Sequence, residues 1–289
     1  MSHILTVGIA TLDIINLVDH YPVEDEEMRA LGQRVECGGN AANTACVLAQ
    51  YGHVVEFAGT LAHEPDGYRI EQELKARQVA TGFCQHVKKG KAPTSYITLN
   101  QQTGSRTIVH YRDLPEYDHQ RFHQIPLEEF DWFHFEGRNV PKVKHMLEET
   151  QQRRRDQPIS LEIEKEREEI DSLLPLADIL LFSRVFITAR GFDNPAAFFE
   201  AMRPHAPEAI LVCTWGDQGA WACDRNNQDY HAPAYPPPQI IDTLGAGDTF
   251  NAGLIHALAS GQTLAEALVH ACQLAGKKVG QHGFGGLIH

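Results

Sequence analysis

Eight consecutive residues, Asp242-Thr243-Leu244-Gly245-Ala246-Gly247-Asp248-Thr249, carry the strongest chemical signal in the chain. They open an apolar stretch, FNAGLIHALA, that reads as a helix. Gly245 and Gly247 let the backbone adopt conformations closed to other residues. They also leave several N–H groups free at a helix N-terminus, where the dipole is positive and anions bind. Asp248 stands beside that anion site. A carboxylate in a first helical turn can be a plain partner for the dipole. That accounts for one Asp, but not for two glycines and the Asp-Thr pair before them. Phosphoryl transfer to an alcohol needs a base for the alcohol's proton and positive partial charge around the moving phosphoryl oxygens. Asp248 can be the base, with Gly245, Ala246, Gly247 and the 248 amide as the anion hole. Neither a Walker A sequence nor the protein-kinase set is present.

A second signal is Gly38-Gly39-Asn40-Ala41-Ala42-Asn43. Two glycines end a strand and a helix of small residues begins. Asn40 can cap that helix, and a cap plus a tight turn is a sufficient structural account of the segment alone. Asn40 and Asn43 are also three apart, so they can share a helix face and bind hydroxyls. Asp13, four residues past the first strand, is a further acceptor suited to sugar hydroxyls.

The elements that must position these residues follow an alternating pattern. Ile4–Ile9, Val54–Gly59, Trp132–Phe135, Ile159–Ile163, Ile179–Phe182 and Ile210–Thr214 read as strands, the last four as short buried apolar runs. Helical patterns at 40–51, 67–77, 141–153, 166–174 and 195–203 lie between them, and helices over about 246–260 and 263–279 close the chain. Strand–helix alternation predicts an α/β fold, a mainly parallel central sheet with helices on both faces. The PPP run at 236–238 reads as a rigid turn into a short strand, Gln239–Asp242. Residues 12–37 and 94–111 break the alternation. The first holds strand-like Ile14–Val18 and Arg29–Cys37 around the acidic YPVEDEE; the second reads as a β-hairpin about QQTGS. Together they predict a small β-sheet lid on a single α/β domain spanning 1–289.

DTLGAGDTF and GGNAAN resemble the two signatures of the ribokinase (PfkB-type) family of carbohydrate kinases, over essentially the whole chain. Within that family the resemblance is closest to the ketohexokinase branch, through LVDHYPVEDEEMR, EGRN at 136–139, LEIEKEREE, YPPPQIIDTLGAGDTFNA and CQLAGKKVG. The resemblance implies a ribokinase-like fold and ATP-dependent phosphorylation of a sugar hydroxyl, fructose to fructose 1-phosphate, with magnesium accompanying ATP. It implies Asp248 as the base, Gly245, Ala246 and Gly247 as the anion hole, and Asp13, Gly39, Asn40 and Asn43 as sugar ligands. Arg106 on the lid hairpin would lie near both sugar and phosphate. Thr214, Gly216, Asp217 and Gly219 would form the nucleotide-side turn, with Tyr235, Pro236, Pro237, Pro238, Cys272 and Ala275 bordering adenine. It further implies a homodimer whose lids interlock, so that Asp25 reaches the partner's sugar site. Many family members carry Asn-x-x-Glu after the strand that here ends at Phe182; this chain has Ser183-Arg184-Val185-Phe186. The metal ligands are therefore unassigned. Arg184 either supplies positive charge to the phosphates or is an ordinary surface residue at a helix start.

The formal net charge of -13 argues against nucleic acid or an anionic membrane as partner. No run approaches the length of a membrane span. The N-terminal MSHILTVGIATLD lacks a basic region and a cleavage pattern and reads as a first strand. Six cysteines without C-x-x-C spacing read as reduced, buried thiols of a cytoplasmic protein. His134 and Glu136 would share one strand face, which alone is thin ground for a metal site. Three rivals stay open: another ketose, an aldose-derived sugar acid or a nucleoside as substrate; a dinucleotide-dependent oxidoreductase, opposed by G-I-A-T-L-D at 8–13 where G-x-G-x-x-G is needed; and a non-catalytic sugar-binding regulator, opposed by an intact Asp248.

Overall fold

The computed structural model describes residues 1–288. A nine-stranded sheet runs in the spatial order Asp229–Ala232, Ala220–Cys223, Ile210–Thr214, Ile179–Phe182, Ile159–Ile163, Trp132–Glu136, His3–Val7, Val54–Ala58, Val79–Ala80. The last seven are parallel to one another; the first two pair antiparallel at one edge. The alternating side-chain directions of a strand explain how one sheet serves two cores. Ile4, Trp132, Leu181 and Val212 face the helices Asn40–Gln50, Ala246–Ala259 and Leu264–Val279. Leu5, Val7, Phe133, Phe135 and Leu161 face the helices Val140–Arg153 and Pro195–Met202 on the other side.

A separate four-stranded sheet has the order Gly32–Gly38, Thr11–Val18, Thr94–Asn100, Arg106–Tyr111. It is built from the two segments that interrupt the alternation. Ile15, Ile97 and Leu99 on one face form a small core with Leu17 and Leu244. On the other face Val35, Ile14, Tyr96 and Val109 stand in register across all four strands.

The structure corrects two expected elements. Residues 239–242 form no strand: the amides of Ile241 and Asp242 donate to the Val279 carbonyl at the end of the last helix, and no neighbouring strand receives them. The prolines before them cannot supply ladder donors. The expected helix at 166–174 is a 3₁₀ segment displaced to Ile170–Leu176. Glu169 ahead of it is left-handed at φ 59°, and Pro175 sits inside it, so an α-helical ladder cannot run through.

Candidate active site

The parallel strands end at a cleft of about 610 Å³ that the small sheet overhangs. Open α/β sheets place their binding crevices at this edge. Asp13, Gly39, Asn40, Asn43, Arg106, Thr214 and residues 243–248 all line it, so the sugar-side, lid and glycine-loop residues expected from sequence are gathered in one place.

Asp248 sits in the first turn of the helix Ala246–Ala259, with Gly245 at the N-cap in a left-handed conformation, φ 75°. A Cβ on Gly245 would lie 2.3 Å from Cζ of Phe284, so packing as well as φ demands glycine there. Gly247 differs: no atom lies within 4 Å of where its Cβ would be, because that space is the cleft. Among the described residues the Gly247 and Asp248 amides have no acceptor, leaving a positively polarised helix end facing the cavity.

Asn43 Nδ2 donates to Asp248 Oδ2 at 2.7 Å, and Thr44 Oγ1 donates to the Asp248 carbonyl at 3.3 Å. The Asp248 carboxylate is thereby fixed by the helix Asn40–Gln50, whose small residues Ala41, Ala42 and Ala45 are buried. Burial pushes the Asp248 carboxyl up to about 7; the Asn43 bond opposes this, and the charges of Glu164, Glu136 and Asp13 reinforce it. Such a carboxyl is half ionised near neutral pH, well suited to accept a hydroxyl proton.

Asp13 is buried and accepts from Thr11 Oγ1 at 2.7 Å. Burial raises its carboxyl above the usual range, against the hydrogen bonds of Thr11 and Ser95. Both glycines before the first helix are needed to make this pocket. A Cβ on Gly38 would fall 2.0 Å from Asp13 Oδ2, and one on Gly39, at φ 98°, 2.4 Å from the Ile9 carbonyl. Asn40 does not cap its helix as expected. The cap position is Gly39, with no side-chain bond, and Asn40 Nδ2 instead points toward Glu162 Oε1 at 3.3 Å and Glu164 Oε2 at 3.4 Å.

Those glutamates were visible in the sequence only as letters inside resembling stretches, with no role. Glu162, next to last in its strand, pairs in register with Glu136, whose Oε2 accepts from the Ile9 amide at 3.0 Å. Burial drives Glu162 well above the usual carboxylate range, helped by the charges of Asp248, Glu136 and Glu164. Arg138 Nη1 lies 3.5 Å from Glu136 Oε1. His110, with Nδ1 3.3 Å from Ser95 Oγ, lines the cleft on the small-sheet side.

Arg106 Nη1 donates to Thr243 Oγ1 at 3.0 Å, and that hydroxyl donates to the Gly104 carbonyl at 3.1 Å. The hairpin therefore holds the glycine loop directly. Ser183 caps the helix Arg184–Ala189. Arg184 is exposed, with its guanidinium 5.2 Å from the centre of the Trp215 ring. Gly216, Asp217 and Gly219 form the turn after Thr214. Pro236 and Pro237 follow the edge strand and run beside the last helix, where a Cβ on Gly276 would be 2.0 Å from the Tyr235 carbonyl. Cys272 donates to the Ala232 carbonyl at 3.7 Å on that helix, with Ala275 half-buried nearby in sequence. Of these expected nucleotide residues, only Thr214 lines the cleft itself. Asp25 is exposed in the acidic segment, outside the cleft, with a left-handed φ of 69°.

His134 is fully buried, 3.0 Å from Ser160 Oγ, and burial takes its pKa down to about 3. Among the described residues no three His, Cys, Asp or Glu side chains are grouped to hold a metal ion. All six cysteines are free and buried. No described helix is long and apolar enough to cross a membrane.

A profile of the pfkB family carbohydrate kinases matches residues 1–288. Mouse ketohexokinase is 38% identical over 295 residues, covering 99% of each chain. The structure of Giardia lamblia ribokinase superposes with a TM-score of 0.86 at 16% identity, covering 100% of this chain and 96% of that one. The adenosine kinase of Sinorhizobium meliloti gives 0.81 at 19% identity, covering 99% and 96%. With these likenesses running the length of the chain, and a buried carboxylate beside free helix-end amides in the cleft, this protein belongs to the pfkB family and is an ATP-dependent carbohydrate kinase.

Proposed function

We propose that this kinase phosphorylates a ketohexose, fructose in the first instance, on the primary hydroxyl at carbon 1. The observation that carries the reading is Asp248, held by Asn43 at 2.7 Å beside unpartnered first-turn amides in the cleft that also holds Asp13 and Asn40. The 38% identity to a ketohexokinase over nearly all of both chains supports the ketose.

In this reading Asp13, the Gly39 backbone, Asn40 and Asn43 bind the sugar hydroxyls. Asp248 accepts the proton of the attacking hydroxyl. The new oxygen–phosphorus bond forms at the γ-phosphorus as its bond to the β-phosphate oxygen breaks, and ADP leaves. The amides at 245–248 hold the equatorial oxygens through the transfer, and Arg106 adds positive charge from the hairpin. The turn at Thr214–Gly219, Arg184, Pro236 and Pro237, with Cys272 and Ala275 behind them, borders the nucleotide. Glu162 suits a magnesium ion carried with ATP: it lines the cleft, and its Oε2 is buried with no hydrogen-bond partner. When bound, such an ion offsets phosphate charge.

The small sheet acts as the lid. Its outer row of Val35, Ile14, Tyr96 and Val109 is apolar, with Val109 66% and Tyr96 44% exposed. A second copy pairing through this face would cover it, and Asp25 would then serve the partner's sugar site.

Sugar-dependent ADP release, measured with fructose, ribose, a sugar acid and adenosine in ATP and magnesium, tests the substrate. Phosphorus NMR of the product gives the position. Fructose should lead, with phosphate on carbon 1. A clear preference for ribose or adenosine would overturn the ketohexose while leaving the kinase intact.

A further inference from the structure

Lys278 is a fully buried lysine in the last helix, facing the turn that leads into the glycine loop. Its Nζ donates to the Asp242 carbonyl at 3.1 Å and lies 3.2 Å from Asp242 Oδ2. Arg34, on the edge strand of the small sheet, reaches the same Oδ2 with Nη2 at 2.5 Å. Asp242 Oδ1 accepts from the Leu244 amide at 2.9 Å, and its own amide donates to the Val279 carbonyl at 3.1 Å. Every polar atom of Asp242 is engaged. The three segments joined there are distant in sequence: a strand of the small sheet, the last helix and the turn itself.

A buried ammonium and a buried carboxylate are a poor route to stability, because desolvation offsets most of their attraction and a well-packed apolar pair does as well or better. What such a network can do is fix one geometry. Two residues past Leu244, the chain enters the helix that carries the free amides and Asp248. The Phe284 ring lies 5.5 Å from the Lys278 ammonium and fills the space where a Gly245 side chain would be. Arg34 is further anchored: Nη1 contacts His282 Nδ1 at 2.7 Å. Its Nε is 2.8 Å from Glu36 Oε1 but off the line a hydrogen bond requires, so that contact is one of charge.

We infer that Lys278 and Arg34 are positioning residues that act through Asp242, fixing the glycine loop and tying its pose to the small sheet. The inference rests on the loop being the phosphoryl site. Neither residue need touch sugar or nucleotide, so removing them should lower the rate of transfer and leave binding largely alone.

The experiment compares Lys278→Met and Arg34→Met with the parent by steady-state kinetics, thermal unfolding and amide hydrogen exchange of the peptide spanning 242–248. Misplacing reacting groups by about 1 Å can cost on the order of 10²-fold. We expect kcat to fall by roughly 10–100-fold in each variant with sugar KM changed less than about threefold, and exchange of the loop peptide to quicken. Arg34→Lys, which keeps the charge, should recover part of the loss. Arg34 lies on a half-buried strand position, so its variant remains informative if Lys278→Met fails to fold. Turnover of the parent with sugar tests the phosphoryl-site reading on its own. Folded variants that melt lower but keep kcat within about twofold, with unchanged loop exchange, would show a purely structural network and overturn the inference. The exchange result decides the matter even if the parent proves inactive.

Discussion

Two glycine turns meet in the cleft, and they use glycine for opposite ends. At Gly38-Gly39 the missing side chains make room for the protein's own atoms, the Asp13 carboxylate and the Ile9 carbonyl. At Gly247 the missing side chain makes room for nothing the chain itself contains. The first turn shapes a carboxylate pocket by packing. The second keeps a helix end bare so that something else can approach it. Similar letters before a helix therefore mean different things, and only the volume beside each Cα tells them apart.

That contrast can be broken in order of effect. Asp248→Asn attacks the group both turns serve. It should cut kcat by about 10²–10⁴-fold or more while ATP affinity, measured by calorimetry, holds. A variant keeping more than about a tenth of parental turnover would remove Asp248 as the base. Gly247→Ala should lower kcat by on the order of 10²-fold if the cleft beside it is the phosphoryl site we propose, because its methyl would occupy that space. Its thermal midpoint should stay level or rise, since alanine favours a helix over glycine by roughly 0.5–1 kcal/mol. Gly38→Ala should do the reverse, costing about 1–3 kcal/mol or more of stability by overpacking and weakening sugar binding through Asp13. If both alanine variants behave alike in activity and melting, the distinction between the turns is false.

The pH dependence sharpens the picture next. With Asp248 raised to about 7, kcat/KM should fall about tenfold per pH unit below that value, as the base takes up its proton. The folded chain then holds a proton that the unfolded chain releases near its ordinary value of 3.8. Between those two values the native state binds more protons, so this group lowers stability as pH rises through them. Asp248→Asn should flatten that part of the stability curve, and an unchanged slope in urea titrations from pH 5 to 8 would deny the shift.

The smallest effect concerns Asp25. In the dimer we propose, mixing Asp248→Asn protomers with Asp25→Ala protomers at equal amounts should restore about a quarter of parental sites, because half the dimers would be mixed and each would have one complete site. No recovery despite proven subunit exchange, from a defective Asp25→Ala parent, would place Asp25 outside the partner's site.

The glycine–aspartate segment and GGNAAN were legible because their chemistry is local: glycine, small residues and a carboxylate at fixed offsets from a helix start. The small sheet was legible because its β-branched and aromatic arms interrupt a helix–strand rhythm. The meeting of Glu136 with Glu162 was not, because each comes from a different strand and they converge only once the sheet is in register. Lys278 was given no role either: it stood only as a letter inside CQLAGKKVG. Its neighbour Lys277 is exposed. Lys278, four and seven residues beyond the buried Leu274 and Ala271, lies on the inner stripe, a position that helical periodicity marks. The 239–242 segment failed because its amides pair with a helix end, a partner that no strand pattern announces.

The hydrogen bond between Asn43 and Asp248 also spans 205 residues of chain. Its two halves are made at opposite ends of synthesis. At translation speeds of about 5–20 residues per second, Asn43 waits on the order of 10–40 s before Asp248 exists. The strand His3–Val7 waits as well, since its neighbour Trp132–Glu136 is made much later. A nascent or truncated chain can therefore assemble much of the sheet and still lack Asp248 and the glycine loop. Ligand protection during folding should come late and all at once, as a report that the last helix has docked.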